Sequence, residues 1–221
     1  MNLTENLLPF GWLLASFLGF APILARAAAS APWRRLKDST QLNVFLGACV
    51  ALMVVWSIKA GIRPGLNLHL LGATALTLMF GPALAILGLC LVLLAVTAAG
   101  TGAWSAFAAN ALLMAVLPVL VSHALYRVVD RRLPNHFFVY VFINAFAGGA
   151  LSMVATGLAA TWLLAATHAY TLQYLYAQYL PYYILMAWSE ALSTGMIVTL
   201  MVVYRPQWVA TFDDARYIRN K

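Results

Sequence analysis

Residues 67–83 read NLHLLGATALTLMFGPA, and this stretch decides the fold. His69 stands directly ahead of an apolar run that extends from Leu70 to Ala99. The run is too long for one simple membrane crossing, which takes about 20 residues, and Gly81-Pro82 interrupts it. We therefore predict two separate helices, a short one before Gly81-Pro82 and a longer one after it.

The composition indicates a membrane protein. Of the 221 residues, 64% are hydrophobic and only 9% are charged, whereas soluble domains carry about 25% charged residues. The apolar segments that we expect to cross the bilayer are Leu7–Ala25, Leu42–Ala60, Leu70–Phe80, Pro82–Ala99, Phe107–Tyr126, His136–Leu164 and Pro181–Tyr204. The sequence thus predicts an all-α integral membrane protein, a seven-transmembrane-helix bundle in a single polytopic domain (1–221) with a short cytoplasmic tail over 205–221.

The basic residues predict the orientation of this bundle. The formal net charge is +7, which in a soluble protein would suggest nucleic acid, but here the basic residues lie between apolar segments. With seven crossings and the N-terminus outside, every Lys and Arg except Lys59 and Arg63 falls on the inner side. If the run from Leu70 to Ala99 is counted as one crossing, the basic residues are divided less unequally between the two sides of the membrane. The positive-inside rule therefore favours N-terminus out and C-terminus in.

Polar residues within the apolar segments are few, and two of them are candidates for function. His69, at the outer end of the short third helix, is a natural ligand for a metal ion or a proton, and short interrupted helices typically mark the substrate site of a transporter. Glu190 lies in the last helix, where a carboxylate normally faces a partner or a cavity. It is either a hydrogen-bonded structural group or a support for a ligand histidine.

Small residues are spaced for close helix packing in two of the segments. Ala15-Ser16 and Gly19 lie in the first helix, and Ala145 and Gly148-Gly149 lie in the sixth. The spacing leaves open whether these faces pack within this bundle or dock another membrane subunit.

The sequence contains no motif of the common hydrolases. GxxxxGK[ST], HExxH and GxSxG are all absent, so phosphate-loop ATPase, metalloprotease and serine hydrolase activities are not expected. The two cysteines, Cys49 and Cys90, lie in apolar runs and are predicted to be core residues. We expect a transport or binding subunit rather than an enzyme, without a resident cofactor.

Four stretches, in consistent order, resemble one family of membrane importers. MNLTENLLP at the N-terminus resembles Met-His-Ile-x-Glu-Gly-x-Leu-Pro, and HLLG at 69–72 with FGPA at 80–83 resembles His-Leu-x-Gly and Gly-Pro-Trp-Ala. Ala109-Asn110 resembles Gly-Ala-Asn, and WSEAL at 188–192 resembles Ile-Gly-Glu-Ala-Leu. These patterns belong to the cobalt/nickel-type substrate-binding subunits of energy-coupling-factor ABC importers, the CbiM/NikM group.

The resemblance implies a metal site at the N-terminus. In the family, the N-terminal segment folds back from outside and presents the amine of residue 1 together with the amide nitrogen and side chain of residue 2. Carried over to this chain, the ligands are Met1, Asn2 and His69. Planar nitrogen ligation suits Ni²⁺ or Cu²⁺ and, by extension, Co²⁺, here as the transported substrate. Behind these ligands, the supporting residues are expected to be Glu5, Asn110 and Glu190.

The resemblance also implies partners and a location. A separate coupling transmembrane subunit and ATPase subunits are expected, in a bacterial cytoplasmic membrane. The chain departs from the family at the site, because Asn2 replaces a histidine and Leu113 replaces a second asparagine. A carboxamide cannot replace the imidazole nitrogen as a strong ligand. The departure leaves open weaker binding, another metal or another substrate.

The predicted function is therefore substrate capture for an energy-coupling-factor importer, with a divalent transition metal ion as substrate. One alternative is a binding or permease subunit for a small non-metal solute, which His69 and Glu190 would hydrogen-bond. Another is a membrane assembly protein that transports nothing. Metal content of the purified protein would separate the first of these from the other two.

Overall fold

The computed structural model describes residues 3–4, 7–58, 60–61, 63 and 66–219, and these residues form an all-α bundle. Within them, six helices are long and apolar enough to cross a membrane: α1 (Phe10–Ser30), α2 (Ser39–Ser57), α4 (Pro82–Gly100), α5 (Phe107–Arg132), α6 (Phe137–Ala166) and α8 (Leu180–Tyr204). Two shorter helices are α3 (Ala73–Phe80) and α7 (Leu172–Gln178). The prediction of a multi-pass helical membrane protein is confirmed.

Several elements are irregular or non-helical. Wide, π-type turns occupy Thr97–Thr101 at the C-terminal end of α4, Leu112–Val116 in α5 and Tyr140–Ala147 in α6. Single-turn helices lie at Trp33–Lys37, Pro206–Trp208 and Ala215–Arg219. The predicted segment Leu42–Ala60 is too long, because α2 ends at Ser57 and Ala60 instead begins a short antiparallel hairpin, β1 (Ala60–Gly61) with β2 (Asn67–Leu68).

The predicted break at Gly81-Pro82 is confirmed. Gly81 has a φ of 80°, in the left-handed region, and Pro82 begins α4. Proline is well suited to a first helical position because it has no N–H to leave unpaired. The start of the short helix was predicted too early, at Leu70. The helix begins at Ala73 because Gly72, with a φ of 65°, turns the chain just before it.

Helix α3 lies at the centre of the bundle. It packs against α4, α5, α6 and α8, and all of its residues except Ala75 are buried. Eight residues at 1.5 Å each give a helix of only about 12 Å, well short of the roughly 30 Å hydrocarbon core of a bilayer. The helix alone therefore cannot span the bilayer, and its first and last residues, Ala73 and Phe80, are buried in the protein.

The two small-residue faces differ in the structure. A Cβ on Gly148 would lie 3.2 Å from Thr74 Cγ2, and one on Gly149 would lie 3.1 Å from the Glu190 carbonyl oxygen. The small residues of α6 thus allow close packing within this bundle. On α1, Ala15 and Gly19 are exposed, so their role as a docking face stays a prediction.

The C-terminal segment, predicted as a polar tail, is partly built into the fold. Val209, Phe212 and Tyr217 are buried. The Phe212 and Tyr217 rings stack with centroids 5.0 Å apart, and Phe212 meets Tyr140 edge-on at 5.0 Å. We call this end of the bundle, where residues 206–217 lie, the tail end, and the opposite end, where α3 begins, the site end.

We predict that Gly149→Leu destabilises the bundle, because its side chain would force α6 away from α8. Overpacking of this kind typically costs about 1–3 kcal/mol, so the melting temperature in detergent should fall. Gly11→Leu is the matched control, since a Cβ at Gly11 has no atom within 4 Å. Equal melting temperatures for the two variants would contradict the packing described here.

Candidate functional site

The carboxylate of Glu190 binds the segment that leads into α3. One oxygen accepts the Leu71 N–H at 2.8 Å and the other accepts the Gly72 N–H at 2.7 Å. The Thr194 side chain, one turn further along α8, lies beside the same carboxylate. Glu190 is 1% exposed, so this carboxylate and its donors are shielded from the surroundings.

The position of Glu190 matches the electrostatics of a helix start. The first N–H groups of a helix have no partner within the helix, and the N-terminal end of its dipole attracts negative charge. Gly72, the residue before α3, has no side chain that could cap the helix. Glu190, on a different helix, α8, places a carboxylate at this position and accepts the Leu71 and Gly72 N–H groups that lead into α3.

His69 is buried two residues before Leu71, the first residue that Glu190 binds. Its side chain is 2% exposed, and Nδ1 lies 2.9 Å from the Leu70 carbonyl oxygen. A carbonyl only accepts, so Nδ1 carries the hydrogen and the lone pair of the neutral ring is on Nε2. The Trp56 ring lies 5.1 Å from the His69 ring, and its Nε1 donates to the Leu71 carbonyl at 3.1 Å.

Asn110 fixes the N-terminal segment at the site end. Its side chain accepts the Leu3 N–H at 2.9 Å and donates to the Leu3 carbonyl at 3.3 Å. Both residues are 1% exposed. Asn110 lies near the start of α5, whereas Asp130 near the end of α5 pairs with Arg216 of the tail. The Asn110–Leu3 pair therefore lies at the end of the bundle opposite the tail.

The C-terminal end of α3 is bound as closely as its start. The Met79 carbonyl accepts the Arg35 guanidinium and the Ala210 N–H, each at 2.9 Å. The Leu78 carbonyl accepts the Thr211 hydroxyl at 2.8 Å and the Thr211 N–H at 3.3 Å. A cation suits this end of the helix dipole. Partial burial lowers the pKa of Arg35 from its ordinary value.

The two loops at the site end touch each other. The hairpin that precedes His69 carries Arg63, whose guanidinium lies 4.7 Å from the centre of the Tyr174 ring on α7. Tyr170 stacks on Tyr174, with ring centroids 5.8 Å apart. Burial raises the pKa of Tyr170, and the neighbouring Arg63 opposes this shift. The segment that carries Tyr170 and Tyr174 therefore packs against the hairpin.

The structure places only part of the predicted site. Glu190 binds the backbone of Leu71 and Gly72, just after His69. Asn110 binds the backbone of Leu3, the residue that follows Asn2. Met1, Asn2 and Glu5 lie outside the described residues. Among the residues that are described, no three His, Cys, Asp or Glu side chains gather into a group that could hold a metal ion.

Sequence reasoning missed several residues that shape the site. Trp56, Arg35 and Thr211 each contact the α3 region from positions distant in the sequence. Arg35 was interpreted only as an orientation signal, because it belongs to a basic cluster between two apolar segments. A pattern along the chain does not reveal which carbonyl such a side chain reaches.

These features together are those of a membrane transport component. A multi-pass helical bundle buries a histidine at the start of an interrupted helix and pins an N-terminal segment at the same end. Such an interior is typical of a membrane uptake component.

The chain belongs to the family described as the cobalt uptake substrate-specific transmembrane region, whose model matches residues 2–208, and it is a CbiM/NikM-like substrate-binding component. It is thus a metal-uptake transport subunit and not an enzyme. No curated protein sequence matches the chain.

Two solved structures share the fold. A truncated transition metal transporter has a TM-score of 0.78 at 21% identity, over 92% of this chain and 99% of that one. A transition metal transporter has a TM-score of 0.79 at 21% identity, over 91% of this chain and 92% of the other. At this identity, the likeness establishes the fold.

We predict that Glu190→Gln loosens the start of α3. The amide has one accepting oxygen in place of two, so one of the Leu71 and Gly72 N–H groups loses its acceptor. A buried donor without a partner costs about 1–3 kcal/mol. Amide hydrogen exchange over residues 70–73 should accelerate and the melting temperature should fall. Asp130→Asn, at the tail end, is the control. Unchanged exchange in Glu190→Gln would contradict the role of Glu190 in binding the Leu71 and Gly72 N–H groups.

Proposed function

We propose that this protein is the substrate-capture component of an energy-coupling-factor importer and that it binds a divalent transition metal ion with Met1, Asn2 and His69. The observation that carries the proposal is the hydrogen bond from His69 Nδ1 to the Leu70 carbonyl. Metal-binding histidines typically donate one ring N–H to a carbonyl or a carboxylate and offer the other nitrogen to the metal. The contact of His69 Nδ1 with the Leu70 carbonyl fits the first half of this pattern.

The N-terminal segment supports the same proposal. Because Asn110 pairs with both backbone groups of Leu3, residues 1 and 2 are within two residues of a fixed point at the site end. The α-amine of Met1 and the backbone nitrogen of Asn2 would then complete a nitrogen-rich site with His69. Such ligation suits Ni²⁺, Co²⁺ or Cu²⁺. The side-chain oxygen of Asn2 is a harder donor than imidazole, so we expect weaker binding of these ions than a histidine there would give.

We propose seven crossings in a bacterial cytoplasmic membrane, with the site end outside and the tail end in the cytoplasm. In this arrangement α3 and the segment 66–72 before it form the short third crossing. Arg35, Asp130 and Arg216 all lie at the tail end, and Arg63 lies on the hairpin that precedes His69. The basic residues at the tail end accord with the positive-inside rule.

We propose that energy for import comes from separate chains. The sequence holds no phosphate-binding loop, so a coupling transmembrane subunit and ATPase subunits would drive release of the metal to the inside. Co-purification of such subunits with this chain, from cells that express the adjacent genes together, tests this part of the proposal.

We predict that His69→Ala abolishes metal binding and leaves the protein folded, because it removes an imidazole donor. Isothermal titration of the purified protein with Ni²⁺ and with Co²⁺ measures the effect, and the melting temperature reports folding. His123→Ala, in the tail half of α5, is the matched control and should bind as the wild type does. Binding by His69→Ala at wild-type affinity would show that His69 is not a metal ligand.

We predict that a tag fused before Met1 destroys uptake, because it converts the α-amine to an amide. The same tag placed after Lys221 should be tolerated. Asn2→His should raise the affinity for Ni²⁺ or Co²⁺ by about tenfold or more, the lower end of the effects seen when metal-site groups change. Normal uptake by the protein with the N-terminal tag would show that the amine is not a ligand.

A further inference from the structure

We propose that the C-terminal segment 206–212 is a latch that responds, through α3, to metal binding at the other end of the bundle. We call the bonds of Ala210, Thr211 and Arg35 to the Leu78 and Met79 carbonyls the tail latch. This inference rests on the proposed function only in taking the metal site to be at His69. It assigns to the C-terminal segment a role in reporting occupancy across the membrane.

The tail latch connects α3 to several parts of the tail end. Arg35 binds the Met79 carbonyl and also approaches the Gln207 and Trp208 carbonyls, at 3.5 and 3.4 Å. The Thr211 hydroxyl lies 2.6 Å from the Tyr140 hydroxyl of α6. Any axial displacement of α3 must therefore stretch or re-form bonds to the tail.

The other end of α3 is joined directly to the proposed metal ligand. Only the segment from Leu70 to Gly72 separates His69 from the helix, and Glu190 holds the N–H groups of Leu71 and Gly72. A force on His69 therefore reaches the first turn of α3 through bonded backbone rather than through a flexible loop. Because α3 is a single uninterrupted helix of about 12 Å, a shift at its start is carried to Leu78 and Met79.

Space for such a shift is present beside α3. A cavity of about 200 Å³ lies along the helix between α2 and α8, and Gly72, Ala75 and Met79 are among the residues that line it. On its other sides α3 packs against α4, α5 and α6. The cavity therefore leaves room for α3 to move sideways, toward α2 and α8.

Hydrogen exchange measures the latch directly. The Ala210 and Thr211 N–H groups donate to α3 carbonyls, so their exchange rates report whether the latch is made. We expect Ni²⁺ addition to change exchange over residues 209–212 selectively, by about fivefold or more, the lower end of typical couplings between sites. Exchange over residues 127–132, at the same end but not bonded to α3, is the internal control.

A pair of variants tests the reciprocal effect. Thr211→Val removes the hydroxyl that binds the Leu78 carbonyl and keeps the side-chain shape. Thr199→Val is the matched control, because its hydroxyl binds only the Gly195 carbonyl of its own helix. Arg35→Lys is a second latch variant, since lysine lacks the planar fork of arginine. Each variant is titrated with Ni²⁺ to obtain its Kd.

Linkage requires the two measurements to agree in sign. If Ni²⁺ slows exchange over 209–212, the latch belongs to the metal-bound state and the latch variants must raise the Kd. If Ni²⁺ accelerates exchange there, the same variants must lower it. Opposite signs, uniform slowing along the chain, or Kd values equal to that of Thr199→Val overturn the proposal. Absence of Ni²⁺ binding by the wild type overturns the proposed metal site instead.

Discussion

The unpaired backbone groups at the two ends of α3 are the constraint on which the rest of the structure depends. A helix of about 12 Å buried within the bundle exposes N–H groups at one end and carbonyl groups at the other, and inside a membrane protein each unsatisfied group costs several kcal/mol. Glu190 accepts the Leu71 and Gly72 N–H groups just before the start, while Arg35, Ala210 and Thr211 bind the Met79 and Leu78 carbonyls at the end. Three distant parts of the chain therefore contact this one helix. These contacts also position His69, which lies just before it.

Features of the sequence that depend on local chemistry were predictable. Length and hydropathy revealed the membrane helices, and the backbone properties of Gly81 and Pro82 revealed the break after α3. The cost of a carboxylate in the membrane drew attention to Glu190, and the position of His69 before a short helix drew attention to the site. In each case the signal lies within a few residues of the feature that it predicts.

Contacts between distant segments were not predictable in the same way. The sequence shows that Glu190 needs a partner but does not show that the partner is the backbone of Leu71 and Gly72, more than 100 residues away. The roles of Arg35 and Thr211 follow from which carbonyls they reach, and those contacts depend on the packing of the whole bundle. The late start of α3 follows from the left-handed turn at Gly72, and the sequence alone does not show that Glu190 binds the N–H groups on this turn.

The double attachment of α3 sets limits on how this chain can change during evolution. Glu190 and Thr211 belong to one continuous segment, α8 and the tail that follows it. They bind opposite ends of α3, whose length is fixed. One residue inserted between Glu190 and Tyr204 would rotate the Glu190 carboxylate by about 100° relative to the tail. Only one end of α3 could then be bound. Insertions and deletions should therefore accumulate in the loops around α7 and be excluded from the second half of α8, unless α3 changes its length in the same step.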